Sequence, residues 1–173
     1  MNTPSPHHHH HHWFTAAVIT VSDSAAKGTR FDRSGPAVLQ ALEKRFFHVV
    51  GTEIVPDEQA QIENALVRWS EQARLVVTTG GTGIAERDIT PEATRAVCQR
   101  LIEGLAERMR AENVKRTPFA ALTRAVCGIR GKTLIINLPG SPDGAVESLE
   151  SIIDLLPHAL ELLEGKTEHV TRH

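Results

Sequence analysis

The sequence predicts a single α/β domain of three layers, with a mostly parallel sheet and helices on both faces. Three observations carry that expectation. Short apolar, β-branched runs such as Val76-Val77-Thr78-Thr79 read as buried strands. These runs alternate with segments whose apolar residues recur at helical spacing, the mark of strand–helix–strand units. Each run also ends in a turn signal that leads into a helix start, at Ser22, Pro56, Gly80 and Pro139. In an open parallel sheet such loops lie along one edge, where ligands collect.

Taken in order, residues 16–21 form the first expected strand, ending in Ser22-Asp23-Ser24 and a polar loop through Lys27, Gly28, Arg30, Asp32 and Arg33. Ser34 is the expected cap of a helix with Val38, Leu39, Leu42 and Phe46 on one side. Residues 48–55 read as the second strand, stopped by Pro56, and Asp57 is placed as cap of a helix lined by Ile62, Leu66 and Trp69. Residues 75–79 are the third strand. Thr90-Pro91-Glu92 then supplies a cap, a proline at the first helical position and an acid in the first turn. A second helical stretch covers 104–113, and 117–124 is ambiguous between loop and short helix. Gly128 to Gly131 reads as a turn into the fourth strand, 133–138. The closing helix should bury Ala145, Leu149, Ile152, Ile153 and Leu156, be kinked or restarted by Pro157, and run on to Gly165.

The loop after the third strand is Thr79-Gly80-Gly81-Thr82-Gly83, followed by Ile84-Ala85-Glu86-Arg87-Asp88. Glycines let the backbone adopt positive φ and expose bare amides, which cradle anions such as phosphate. A dinucleotide fingerprint would need a third glycine where Glu86 stands. The later Gly131-Lys132-Thr133 would need its first glycine at Val126, so a P-loop is excluded too. A plain turn needs fewer glycines than three in four residues, and neither Arg nor Asp beside them.

Bulk properties narrow the classes. Residues 1–12 include six consecutive histidines, His7 to His12, and are read as an expression tag. What remains, 13–165, is the expected domain, with 166–173 as a C-terminal tail. His48, His158, His169 and His173 show no metal spacing. A net charge of -2 leaves no footprint for nucleic acid. No apolar run reaches the ~18 residues of a membrane span. Cys98 and Cys127 lack zinc or redox spacing and read as reduced core residues. With no signal peptide in view, the expected location is the cytoplasm.

The loop of 79–83 with Arg87-Asp88-Ile89-Thr90-Pro91-Glu92-Ala93-Thr94 resembles the signature of molybdopterin adenylyltransferases. These are the MogA-type enzymes of the MogA/MoaB family, similar to the G domains of plant and animal molybdenum-cofactor proteins. Supporting stretches are Thr20-Val21-Ser22-Asp23, Asp32-Arg33-Ser34-Gly35-Pro36, Val55-Pro56-Asp57-Glu58, Thr117-Pro118-Phe119-Ala120, Gly128-Ile129-Arg130-Gly131 and Ile136-Asn137-Leu138-Pro139-Gly140-Ser141-Pro142. The likeness covers 18–165. It implies adenylyl transfer from Mg-ATP to the terminal phosphate of molybdopterin, with release of pyrophosphate. It further implies a homotrimer and a downstream enzyme that inserts molybdate.

By motif position, Asp57 and Asp88 are the expected essential acids and Mg²⁺ ligands, with Thr123 standing where the family carries a Ser. The added methyl restricts that side chain. Ser22, Asp23, Gly80, Gly81, Thr82, Gly83, Pro139, Gly140 and Ser141 are the expected substrate contacts. An attacking phosphate is already ionised near neutrality, so the protein has only to position the reactants and neutralise charge. Glu92 has two readings, a site contact or a partner of the helix dipole. Arg33, Arg87, Arg124 and Arg130 are unranked candidates for phosphate. The competing function is a scaffold that binds molybdopterin without consuming ATP.

Overall fold

The computed structural model describes residues 14–165. The expected tag, 1–12, and tail, 166–173, lie outside the described residues. The elements in chain order are β1 (Phe14–Val21), α1 (Asp23–Ala26), α2 (Ser34–Glu43), β2 (Phe47–Val55), α3 (Gln59–Ser70), β3 (Leu75–Thr79), α4 (Thr90–Val97), β4 (Arg100–Leu101), α5 (Glu103–Asn113), β5 (Cys127–Arg130), β6 (Thr133–Leu138), α6 (Pro142–Ile152) and α7 (Leu156–Leu163). Short 3-10 turns occupy Pro118–Leu122 and Ile153–Leu155.

One six-stranded sheet runs in the order β2-β1-β3-β6-β5-β4. The first four strands are mutually parallel, while β5 is antiparallel to both β6 and β4. The register sets the four parallel strands flush at their C-terminal ends: Val21 pairs with Val55, Thr20 with Thr79, and Thr79 with Leu138. From β1 the chain crosses to β2 on one side, then returns past β1 to β3 on the other. The loops after β1 and β3 therefore diverge, which opens a crevice at that edge.

Alternate residues of each central strand serve two cores. Val18, Leu75, Val77, Leu134 and Ile136 face α2, α5, α6 and α7, whose Val38, Leu42, Leu105, Met109, Leu149, Ile152, Leu156 and Leu160 complete that layer. Ile19, Val76 and Ile135 face the other way, onto Ile62 and Leu66 of α3 and Ala93 and Val97 of α4. The fully buried Leu, Ile and Val side chains among these, such as Leu75, Ile136 and Leu66, contribute about 1.5–3 kcal/mol each, so both helical layers are held by the sheet. Between them sits buried Asn137. Its Oδ1 accepts from Val126 N at 3.0 Å, and its Nδ2 donates to Thr78 Oγ1 at 3.0 Å and Thr94 Oγ1 at 2.9 Å. At the N-terminal edge of the parallel strands, Arg74 N donates to Thr15 O at 3.1 Å and the Arg74 guanidinium pairs with Glu164 at the end of α7.

The three-layer expectation stands, with local corrections. Two strands, β4 and β5, come in addition to the four expected, and the turn read at 128–131 is mostly β5. A four-residue helix, α1, follows Ser22 directly, with the Ser22 hydroxyl accepting from Ala25 N at 3.2 Å. Ser34 is the first residue of α2 rather than its cap; the carboxylate of Asp32 accepts from Gly35 N at 3.0 Å instead. Asp57 does not cap α3, because its carboxylate is turned onto Asp23 N. Thr90 is likewise inside α4, its hydroxyl donated to Gly80 O at 3.0 Å. Ser141 does cap α6, accepting from Gly144 N at 3.2 Å, and α7 restarts with Pro157 in its first turn. Among the described residues no helix is long and apolar enough to cross a membrane.

Candidate active site

The C-terminal edge of the parallel strands holds a cleft of about 540 Å³. Its lining includes Ser22, Asp57, Gly80, Gly81, Asp88, Gly140 and Ser141, so all four βα loops meet there. The remaining wall comes from the segment after α1: Arg30, Phe31, Asp32, Arg33 and Ser34. Phe31 is 90% exposed.

The glycine loop owes its shape to two left-handed residues. Gly80 has φ +102° and Gly81 φ +70°, a region that side chains rarely enter. A methyl on Gly80 would run into the Val21 carbonyl, and one on Gly81 would run into Thr90 Oγ1 and come within 3.1 Å of Asp57 Oδ1. The bare backbone is thus what lets the β3 loop lie against both β1 and the Asp57 carboxylate. Arg124 closes the loop from the far side. Its N donates to Thr82 O at 2.7 Å, its Nε to Gly83 O at 2.8 Å, its Nη2 to Asp88 O at 2.6 Å and its Nη1 to Glu92 Oε2 at 2.9 Å. That ion pair also holds the Glu92 carboxyl below its ordinary range.

Asp23 and Asp57 bolt the β1 and β2 loops together by reciprocal bonds. Asp23 N donates to Asp57 Oδ2 at 2.9 Å, and Asp57 N to Asp23 Oδ1 at 3.0 Å. Hydrogen bonds from Arg87 lower the Asp23 carboxyl to about 2, with the Asp57 amide adding to the effect. The Asp57 carboxyl moves the other way. Burial raises it, the Asp23 amide opposes that, and the charges of Asp23 and Asp88 add to the rise. A carboxylate held against burial and like charge is relieved by a cation. Asp88 is fixed by Ala85 N, which donates to its Oδ2 at 3.0 Å.

These donors suit a hard divalent ion. Among the described residues no group of three or more His, Cys, Asp or Glu forms a closed metal cage. Mg²⁺ commonly uses one or two carboxylates and completes its shell with substrate phosphates and water, which matches Asp57 and Asp88 on one open cleft.

Other expected site residues lie beside the lining. Gly83 backs Asp88, Pro139 O accepts from Thr79 Oγ1 at 2.9 Å, and Thr123 Oγ1 donates to buried Thr82 Oγ1 at 3.3 Å. Thr123 and Thr82 therefore support the glycine loop from outside the cleft. Asp23 is engaged by Arg87 and the Asp57 amide. Of the four arginines considered for phosphate, three are occupied by protein: Arg87, Arg124, and Arg130, whose Nη1 donates to Val97 O at 3.0 Å. Arg33 lines the cleft. Arg30 and Phe31 are not among the expected contacts, although an aromatic between two arginines in a polar loop is a readable signal.

A family described as a probable molybdopterin binding domain matches residues 17–158. The chain belongs to this family. It is 45% identical over 155 residues to a molybdopterin adenylyltransferase of Helicobacter pylori strain J99, covering 86% of each chain. It is 38% identical over 164 residues to that of Escherichia coli K12, covering 86% of this chain and 84% of the relative. A 43% identical match within the molybdenum cofactor synthesis protein cinnamon of Drosophila melanogaster covers 86% of this chain but 25% of that protein. Among solved structures, the molybdopterin biosynthesis enzyme MoaB of Thermus thermophilus superposes with a TM-score of 0.83 at 49% identity, over 88% of this chain and 98% of its own.

Proposed function

We propose that the chain is a molybdopterin adenylyltransferase that moves the adenylyl group of ATP onto the terminal phosphate of molybdopterin. The observation that carries this reading is the meeting of Asp57, Asp88 and the Gly80-Gly81 backbone on one cleft. Family membership and the enzymes named above support it. A phosphate oxygen of molybdopterin attacks the α-phosphorus of ATP, the bond to the β-phosphate oxygen breaks, and pyrophosphate leaves. No proton has to be removed from an ionised phosphate, so the residues act by position and charge. Bound Mg²⁺ would neutralise phosphate charge between Asp57 and Asp88. The Gly80 amide is donated to Leu138 O at 3.1 Å, so the Gly81 amide and the Ser141 end of α6 receive phosphate oxygens. Ser22, Gly140 and Arg33 complete the polar wall, with Asp23, Thr82, Gly83, Pro139 and Thr123 holding it. Arg30 adds charge, and Phe31 offers a face to one of the two heterocycles.

The working unit in this reading is residues 13–165, acting in the cytoplasm as a homotrimer that passes product to a molybdate-inserting enzyme. Exposed Val114, Phe119 and Leu122 offer apolar surface for the assembly. The test is pyrophosphate release with ATP, Mg²⁺ and molybdopterin. Asp57→Ala and Asp88→Ala should each abolish it while the variant stays folded. Full activity in either variant removes that residue from the mechanism, and molybdopterin binding without any pyrophosphate would favour a scaffold.

A further inference from the structure

Arg87 stands next to Asp88 in the chain, yet its guanidinium serves the other acid. Nε donates to Asp23 Oδ2 at 2.7 Å. Nη2 reaches Asp23 Oδ1 at 3.1 Å, the Asp57 carbonyl at 3.1 Å and Glu58 Oε1 at 2.9 Å. Asp23 exchanges the two bonds with Asp57 already described. The Asp88 loop is therefore tied by one side chain to the backbone of Asp57 and to its clamp. We propose that Arg87 is a positioning residue that sets the separation of the Asp57 and Asp88 carboxylates, and thereby the affinity of the cleft for a divalent cation. The inference rests on the two-carboxylate reading of the site.

Two carboxylates facing one cleft repel each other, which favours parting of their loops. A strap between the loops opposes that. Arg87 itself is not among the cleft-lining residues, and its Nε/Nη2 edge is taken up by Asp23. It is thus poorly placed to grip phosphate as well. Its side chain is 56% exposed, and exposed ion pairs contribute little to stability. Its effect is expected in geometry more than in folding. Lysine cannot reproduce a forked contact to a carboxylate, a carbonyl and a second acid at once.

Mn²⁺ serves as the probe, followed by electron paramagnetic resonance in the presence of ATP and without molybdopterin, so that no turnover occurs. Removing a residue that orients a metal ligand typically weakens metal binding 10–100-fold. Arg87→Lys should raise the Mn²⁺ dissociation constant about tenfold, and Arg87→Ala further. ATP binding measured in EDTA should not change. Asp23→Asn, which removes the strap's anchor charge, should reproduce the Lys variant. Arg87→Lys keeps charge and bulk, so it is decisive even where Arg87→Ala does not fold. Wild-type Mn²⁺ affinity in Arg87→Lys overturns the inference. So does an equal loss of metal-free ATP binding, which would make Arg87 a phosphate ligand. If the unaltered protein binds no Mn²⁺ with ATP, the two-carboxylate site fails, and the strap with it; failure in the variants alone leaves the proposed reaction standing.

Discussion

Gly81→Ala separates two costs that usually come together. Gly81 has φ +70°, and Gly131 in the β5–β6 turn has φ +61°. Either alanine must enter the left-handed region at about 1–2 kcal/mol. At Gly131 nothing lies within 4 Å of the added methyl, so that is the whole penalty. At Gly81 the methyl displaces Thr90 Oγ1, which is buried and donates to Gly80 O. Losing that bond inside the fold adds about 1–3 kcal/mol. Gly81→Ala should then be the less stable variant by about 2 kcal/mol, or roughly 4–8 °C in melting temperature for a chain of this size. Urea unfolding and calorimetry on both variants measure the difference. The methyl would also sit 3.1 Å from Asp57 Oδ1, so Gly81→Ala should lose pyrophosphate release and Gly131→Ala keep it. Equal midpoints, or wild-type turnover in Gly81→Ala, would refute the claim that a bare backbone is needed there.

Three further outcomes follow from other contacts. Asn137→Ala strands the buried Val126 amide and two threonine hydroxyls, and should destabilise by about 2–4 kcal/mol; a urea-derived loss below about 1 kcal/mol would show that the network re-pairs. In the folded protein the Asp57 carboxyl titrates above its ordinary value of 3.8. The folded protein therefore binds more protons than the unfolded chain across that window, and this group's contribution to stability falls as pH rises through it. Asp57→Asn should accordingly gain stability relative to wild type as pH rises above the ordinary carboxyl value of 3.8, while losing activity; an unchanged difference across those unfolding curves would contradict the burial assignment. Phe31→Ala should leave the melting temperature alone, since the ring is 90% exposed. It should raise KM for one substrate about tenfold, the scale of an aromatic stacking contact, and unchanged kinetics would remove Phe31 from the site.

Much of the rim is legible in the sequence because it depends on local signals. Four β-branched runs end in Gly, Pro or Ser, and flush pairing at Val21, Val55, Thr79 and Leu138 brings the loops together. Asp57 and Asp88 are singled out by the family resemblance of the motifs that contain them. β5 is hidden because glycine at 128 and 131 reads as turn punctuation, and β4 has only two residues, too few for any periodicity. Cap positions shift where a side chain finds a tertiary partner: Thr90 takes the Gly80 carbonyl and Asp57 the Asp23 amide. The arginines resist ranking for the same reason. Whether a guanidinium meets phosphate or protein is decided by loops distant in the chain, as the separation of Arg124 from Gly83 shows.

The contacts of Arg74 have a bearing on how the fold can be deployed. Thr15 and Glu164, near the first and last described residues, both meet it at the margin where the parallel strands begin. The cleft opens at the opposite margin. Both ends of the described chain therefore lie at the margin away from the mouth. The domain is in effect a cartridge, with both ends of its described chain at the back and its mouth at the front.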